Sequence, residues 1–266
     1  MRKYWEYIKN SFKENLTYRV LYFTGILQTV LALVVQLYLW RALVGQAGEV
    51  TSSSGIITLG DMTTYVLIGT FIGTLISNNV IGDINNRVRG GQVATDLIKP
   101  MNFIVYIFCR MLGRNLFNLI FRLLPVLVIA VIFLDFQLPS LPNLILFLVM
   151  VVNTLVIMFL IVFNLGLLSF WYMAMWQVDI FFGSLMELFS GRFLPLWFFP
   201  QILVSISAFM PFRLMYYVPI SIYLGKLEIG DCWLAILQQF MWIAILGGIT
   251  ALMWRSAIKK LVIQGG

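Results

Sequence analysis

Stretches of about twenty residues without a single charge constrain the fold of this chain more than any other feature. Residues 20–40, 62–82 and 232–254 contain no Asp, Glu, Lys or Arg. A helix of roughly 20 apolar residues crosses the hydrocarbon core of a bilayer. Charged residues make up only 11% of the chain, whereas soluble domains contain about 25%. The sequence therefore predicts an integral membrane protein with spans at these three places.

The middle of the chain holds a longer uncharged run, Phe136–Val178, of 43 residues. A single helix of that length would extend about 65 Å, which is too long for a bilayer. The sequence LPSLPN at 138–143 interrupts the run near its start, because proline does not continue a helix. We therefore expect span three at about 104–134 and span four at about 143–170.

Four prolines follow Asp179 before the last span, so a straight fifth helix is expected only over 179–190. The apolar but repeatedly broken segment 191–225 fits short helices that enter the membrane and return. Irregular backbone at membrane depth is tolerated only where it packs against protein or lines a water-filled cavity. This segment is therefore interpreted as a re-entrant gate, with the expected gate residues Gly191, Arg192, Pro195 and Pro200.

Residues 1–18 place aromatic and aliphatic side chains on one helical face, which is typical of an amphipathic interfacial helix. The expected fold is an all-α integral membrane protein, a single transmembrane domain over 1–266. It has six transmembrane helices, this N-terminal helix, and re-entrant broken helices between spans five and six. Lys and Arg concentrate on one side of these spans, so both termini are expected in the cytoplasm. The net charge of +7 then reflects topology and anionic membrane lipids, and not nucleic acid.

Residues suited to catalysis are scarce. The chain has no histidine, and its two cysteines, Cys109 and Cys232, fall near opposite membrane faces in the predicted topology. A phosphate-binding loop of the form GxxxxGK[ST] is absent from the sequence, so we do not expect the chain to hydrolyse ATP. The sequence predicts a non-enzymatic protein that holds no metal and no cofactor of its own.

Two groups of residues within the spans invite a functional interpretation. Arg122 and Glu187 are expected at similar depth, and charges inside a bilayer usually face protein or water. They are interpreted as a structural ion pair, or alternatively as contacts to a substrate. Gly69, Gly73 and Ser77 recur at four-residue spacing, and small residues let helices approach closely. This face would serve either packing within the chain or a contact between subunits.

Three sequence segments, together with the order of the predicted spans, make this chain resemble the membrane subunit of ABC-2 type exporters. They read GDINNRVRGGQVATDLIKP at 82–100, SGRFLPLWFFP at 190–200 and PFRLMYYVPISIYLGK at 211–226. In one subfamily of these permeases a glycine, an acidic residue, a leucine and a terminal Lys-Pro recur after span two. The resemblance covers essentially the whole chain.

The resemblance implies a permease that forms a homodimer or heterodimer and recruits two cytosolic ABC ATPase subunits, which carry ATP and Mg²⁺. The loop after span two would form the coupling helix on which an ATPase docks. Val93 and Leu97 would offer an apolar face to a socket of that partner. The residues expected at this contact are Arg87, Arg89, Gln92, Val93, Asp96, Leu97 and Lys99.

The residues leave two other functions open. An ion-gradient secondary transporter often has matching broken helices in two halves, whereas this chain has one broken segment. A membrane protein of assembly or signalling without transport is the second alternative. The resemblance implies export across the cell membrane of a bacterium, and the substrate stays undetermined.

Overall fold

The computed structural model describes residues 2–16, 19–44, 49–52, 55–77, 79–99, 101–133, 136–172 and 174–260. The described helices and strands, in chain order, are α1 (Arg2–Leu16), α2 (Arg19–Val44), β1 (Glu49–Ser52), β2 (Gly55–Thr58), α3 (Leu59–Ile76), α4 (Val80–Arg89), α5 (Gln92–Ile98), α6 (Phe103–Phe117), α7 (Leu124–Phe133), α8 (Leu141–Leu167), α9 (Trp176–Phe189), α10 (Gln201–Ala208), α11 (Tyr217–Tyr223) and α12 (Ile229–Lys259). A π-helical turn, Asn118–Leu123, joins α6 to α7. Short 3-10 turns lie at Leu168–Phe170, Leu196–Phe198 and Phe212–Leu214.

Among the described residues, five helical stretches are long and apolar enough to cross a membrane. Their bounds are Phe23–Leu43, Leu59–Arg89, Phe103–Val128, Leu141–Phe170 and Ile229–Lys259. A sixth is reached if α10 and the segment Phe212–Tyr223, which are bent by 82° to each other, count as one broken span. The prediction of an all-α membrane fold with a broken helix pair before the last span is confirmed. The antiparallel hairpin of β1 and β2, between α2 and α3, was not expected.

The segment predicted as span five, which α9 forms, differs from the five long stretches. α9 has 14 residues, which corresponds to about 21 Å at 1.5 Å per residue. That is shorter than the roughly 30 Å of a hydrocarbon core. The chain continues from α9 through a turn at Gly191 into the bent pair, so several short elements stand here in place of one long helix.

A capping box begins α3 beside the hairpin. Thr58 Oγ1 accepts a hydrogen bond from the Asp61 N–H at 3.2 Å, and the Asp61 carboxylate accepts from the Thr58 N–H at 3.0 Å. Asp61 is buried and also lies 2.9 Å from Lys226 Nζ. Lys226 donates a second hydrogen bond to the Ile56 carbonyl at 3.0 Å. The pair therefore ties the segment after α11 to the start of α3.

The amphipathic helix α1 packs along α6. The two helices approach so closely at Gly113 that a Cβ there would lie 2.5 Å from the Ile8 carbonyl oxygen. Ser11 Oγ donates a hydrogen bond to the Arg110 carbonyl at 2.9 Å. The predicted amphipathic helix thus covers the first part of the third long helical stretch.

One end of the bundle collects several distant parts of the chain. Phe103, at the start of α6, stacks on Trp254 near the end of α12 with ring centroids 5.0 Å apart. Gly166, near the end of α8, packs so tightly on α4 that a Cβ would lie 2.7 Å from Ile84 Cδ1. Because α1 lies along α6 here, we refer to this end of the bundle as the α1 end.

Candidate functional site

Two polar cavities lie side by side in the apolar bundle, separated by Arg192. The first has a volume of about 160 Å³ and the second about 250 Å³. Both are bordered by Gly73, Ser77 and Arg192. We name the first the arginine cavity, after its polar lining of Gln28, Thr29, Gln36, Thr70, Thr74, Asn118, Arg122 and Arg192. We name the second the acidic cavity, after its lining by Asp179, Glu187 and Tyr216 beside Arg192.

Two glycines of α3 line the cavities: Gly73 borders both, and Gly69 borders the arginine cavity. A Cβ at Gly69 would lie 3.7 Å from Ile220 Cδ1, and a Cβ at Gly73 would lie 3.4 Å from Arg192 Nε. These close approaches occur within the chain, which favours the intrachain alternative for this small-residue face. The prediction that Ser77 continues the face is wrong, because α3 ends at Ile76 and Ser77 has extended backbone with ψ 131°. Ser77 instead borders both cavities at the break before α4.

Arg122 enters the arginine cavity from the π-helical turn. The Leu124 N–H bonds the Leu119 carbonyl, five residues earlier, and such turns are frequent at functional sites. Arg122 Nε donates to Thr29 Oγ1 at 2.8 Å, and Nη2 donates to Gln28 Oε1 at 3.2 Å. Both partners are neutral groups of α2.

The predicted ion pair between Arg122 and Glu187 is wrong in this structure. Glu187 Oε1 lies 3.0 Å from Nη1 of Arg192. The π-helical turn directs Arg122 toward α2, and a left-handed turn at Gly191 (φ 75°) brings Arg192 back to the end of α9. Within the described part of the chain, no carboxylate lies within 4.0 Å of the Arg122 guanidinium.

The predicted gate residues divide into two groups. Gly191 adopts a backbone conformation that glycine tolerates best, and its carbonyl accepts a hydrogen bond from the Tyr65 hydroxyl at 2.6 Å. Arg192 follows at the cavities, with its guanidinium 5.8 Å from the centre of the Tyr216 ring. Pro195 and Pro200 lie away from both cavities and directly precede the 3-10 turn Leu196–Phe198 and α10.

The segment predicted to bind an ATPase forms a compact helical turn at the α1 end. Gly91, with φ 68°, reverses the chain between α4 and α5. Asp96 is buried and accepts hydrogen bonds from Arg87 and from Lys99, the latter at 2.6 Å. The hydrogen bond to Asp96 raises the pKa of Lys99. Arg87 also donates to the Tyr106 hydroxyl at 3.2 Å, so the segment is fixed to α6.

The apolar face predicted for docking is turned inward. Val93 is 1% exposed and Leu97 packs against the hydrophobic core. Val93 and Asp96 are buried and Leu97 is half-buried, so they hold α5 on the bundle. The expectation that Val93 offers an exposed docking contact is therefore wrong, and the docking role of the segment stays a prediction. The side chains that α5 and its flanks expose are Arg89, Gln92, Thr95, Ile98 and Lys99, and Ile98 is 83% exposed.

Several cavity residues were missed by the sequence analysis. Gln28, Thr29 and Gln36 of α2, with Thr70 and Thr74 of α3, line the arginine cavity. Their signal was present, because Gln28 and Gln36 lie eight residues apart and therefore on one face of a helix that is otherwise almost wholly apolar. Uncharged polar residues were passed over in favour of charged ones.

A membrane bundle with half-open polar cavities beside a broken helix pair has the construction of a transport protein. The family model of the ABC-2 family transporter proteins matches residues 30–265. The chain therefore belongs to the ABC-2 family and is a multi-pass membrane component of a transporter, which confirms the resemblance inferred from its sequence. No curated protein sequence matches the chain.

Proposed function

We propose that this chain is the permease subunit of an ATP-driven exporter and works as a dimer with two separate cytosolic ATPase subunits. The observation that carries this proposal is the pair of polar cavities around Arg192, inside a bundle of apolar helices. Polar and charged groups are costly at such positions unless they serve a pathway or a packed network. In the proposed dimer, the cavities of the two permease subunits would face one shared pathway through the membrane.

The energy for transport would come from the partner. The sequence contains no GxxxxGK[ST] motif, so ATP and Mg²⁺ are assigned to the ATPase subunits. We propose the exposed surface of α4 and α5 as their docking site, with Arg89, Gln92, Ile98 and Lys99 in contact. Ile98 is 83% exposed there, and a docked ATPase would cover this apolar side chain.

The proposed orientation places the α1 end in the cytoplasm of a bacterial cell. The contact between Phe103 and Trp254 places the region of α1 and α6 at the same end of the bundle as the end of α12, and the excess of Lys and Arg in these segments favours the cytoplasmic side. Both chain termini and the docking segment would then lie on the side where ATP is available.

Reconstitution tests this function. The chain would be co-expressed with a candidate ABC ATPase from the same organism, purified, and incorporated into liposomes. The chain alone should show no ATP hydrolysis, and the complex should contain two ATPase subunits whose hydrolysis depends on the permease. Substrate flux driven by a proton or sodium gradient in the absence of nucleotide would overturn the proposal in favour of a secondary transporter.

A further inference from the structure

We infer that the arginine cavity binds an anionic phosphate or carboxylate group of the transported molecule. This inference rests on the proposed transport function, and it adds the chemical class of the substrate. Two arginines, Arg122 and Arg192, line the cavity together with amide and hydroxyl side chains. Among the residues that the structure describes, its lining contains no Asp or Glu. A ligand would therefore meet a surface of positive charge and neutral hydrogen-bonding groups.

The charge of Arg122 is not balanced by the described chain. Its two hydrogen bonds go to Thr29 and Gln28, which are neutral. Arg192 forms a salt bridge with Glu187, which lines the acidic cavity on the other side of Arg192. A cation within a membrane bundle is costly without an opposite charge, and a guanidinium binds phosphate or carboxylate through paired charge-assisted hydrogen bonds. An anion in the arginine cavity would satisfy both requirements.

Each of the two guanidinium groups lies beside a glycine. A Cβ at Gly25 would lie 3.2 Å from Arg122 Nε, and a Cβ at Gly73 would lie 3.4 Å from Arg192 Nε. Each guanidinium thus packs close to a glycine of a neighbouring helix. A Cβ at Gly25 would be a tighter contact than usual for Arg122, whereas a Cβ at Gly73 would lie at about van der Waals distance from Arg192.

The size and position of the cavity fit an anionic headgroup. Its volume of about 160 Å³ is several times the roughly 30 Å³ that one water occupies in the liquid. The guanidinium of Arg122 contacts the first half of α2 at Gly25 and Thr29. It therefore lies in the half of the bundle nearer the α1 end. In the proposed orientation this is the side from which an exporter collects its substrate.

Native mass spectrometry of the purified full chain tests this inference. The probes are phosphatidylglycerol, phosphatidylcholine with the same acyl chains, and inorganic phosphate. We expect one saturable phosphatidylglycerol site, at least about tenfold tighter than phosphatidylcholine, which corresponds to about 1.4 kcal/mol. Arg122→Gln and Arg192→Gln should each weaken phosphatidylglycerol binding at least about tenfold, since each removes a charge-assisted contact. Arg41→Gln, which removes an exposed arginine outside the cavity, should leave it unchanged.

A third variant separates the cavity from the fold. Ala32→Phe keeps both arginines and fills the arginine cavity, which Ala32 lines, so it should abolish binding while thermal unfolding stays near that of the wild type. Binding of inorganic phosphate with the same arginine dependence would support the site and identify a soluble anion as its ligand. Equal binding of the two lipids, or unchanged binding in both arginine variants, would overturn the inference. Because the lipid-binding measurement needs no ATPase, its outcome is independent of the transport assay. Anion binding can be refuted while ATP-driven transport is observed, and transport can be refuted while anion binding is observed.

Discussion

Arg192 and Glu187 form a salt bridge of 3.0 Å at the boundary between the two cavities. Their side chains are 47% and 51% exposed, so the pair contributes less than about 1 kcal/mol to stability. Its main effect is on the field in the cavities, since Glu187 offsets one of the two arginine charges. Glu187→Gln should therefore leave the thermal unfolding midpoint almost unchanged and tighten phosphatidylglycerol binding severalfold.

Asp179→Asn is the matched control for this change. Asp179 also lines the acidic cavity, but among the described residues it forms no salt bridge with Arg192. Both variants remove one negative charge from the acidic cavity, but only Glu187→Gln breaks the salt bridge to Arg192. Lipid titrations of both variants by native mass spectrometry therefore separate the effect of breaking this salt bridge from that of a more positive net charge. Equal tightening in the two variants would contradict the specific role of Glu187.

Asp96 holds the α4 and α5 segment together from the inside. It is 3% exposed and pairs with Arg87 and Lys99. Asp96→Asn would leave the Arg87 guanidinium, 13% exposed, without its carboxylate. We expect a loss of about 3 kcal/mol in the free energy of unfolding, as for other broken buried pairs. Thermal unfolding of the purified chain measures it, with the exposed neighbour Thr95→Ala as control, and equal midpoints for the two variants would refute it.

Ile98 and Leu97 are neighbours in sequence with opposite roles. Ile98 is 83% exposed, whereas Leu97 packs against the core. Ile98→Glu should leave folding intact and weaken binding of the co-expressed ATPase at least about tenfold, because burial of such a side chain is worth roughly 1.5–3 kcal/mol. Leu97→Glu should instead lower the unfolding midpoint, since it places a charge against the apolar core on which Leu97 packs. Titration of the purified ATPase onto both variants, with thermal unfolding in parallel, tests this assignment. Full ATPase binding by Ile98→Glu would contradict it.

The long helices were predictable because the cost of charge in a bilayer leaves a direct record in the sequence. The positions of side chains around those helices were less so. The π-helical turn adds a backbone irregularity that no residue type announces, and it directs Arg122 toward Thr29 instead of Glu187. The inward face of α5 was hidden for another reason. Val93 and Leu97 indicate an apolar face, but whether that face meets the same chain or another protein depends on tertiary packing.

Gly113 sets the distance between α1 and α6. A Cβ there would lie 2.5 Å from the Ile8 carbonyl oxygen and 2.8 Å from Ser11 Cβ. Gly113→Ala should therefore push α1 away and expose it to trypsin, despite the gain of about 1 kcal/mol that alanine brings within a helix. Gly183→Ala in α9, where a Cβ would meet nothing within 4 Å, is the control and should be neutral or stabilising. The rates of cleavage after Lys9 and Lys13 measure the effect, and equal rates in the two variants would contradict it.

Gln239 joins the bent helix pair to the rest of the bundle. It is fully buried, and its Nε2, which has two hydrogens to donate, lies 2.9 Å from the Leu214 carbonyl, 3.2 Å from the Met150 carbonyl and 3.3 Å from Thr154 Oγ1. These groups belong to α12, α8 and the 3-10 turn before α11. Gln239→Leu removes the donor and leaves the Leu214 carbonyl without this partner in a buried place.

We expect Gln239→Leu to cost about 1–3 kcal/mol, the usual range for a buried polar group deprived of its partner. Gln238→Leu is the matched control on the same helix, because Gln238 is only partly buried. Thermal unfolding compares their stability, and hydrogen exchange over Phe212–Tyr223 reports on the bent pair itself. Faster exchange there in Gln239→Leu alone is the expected result. The same exchange in both variants would show that packing of the apolar side chains, and not this amide, holds the broken pair in place.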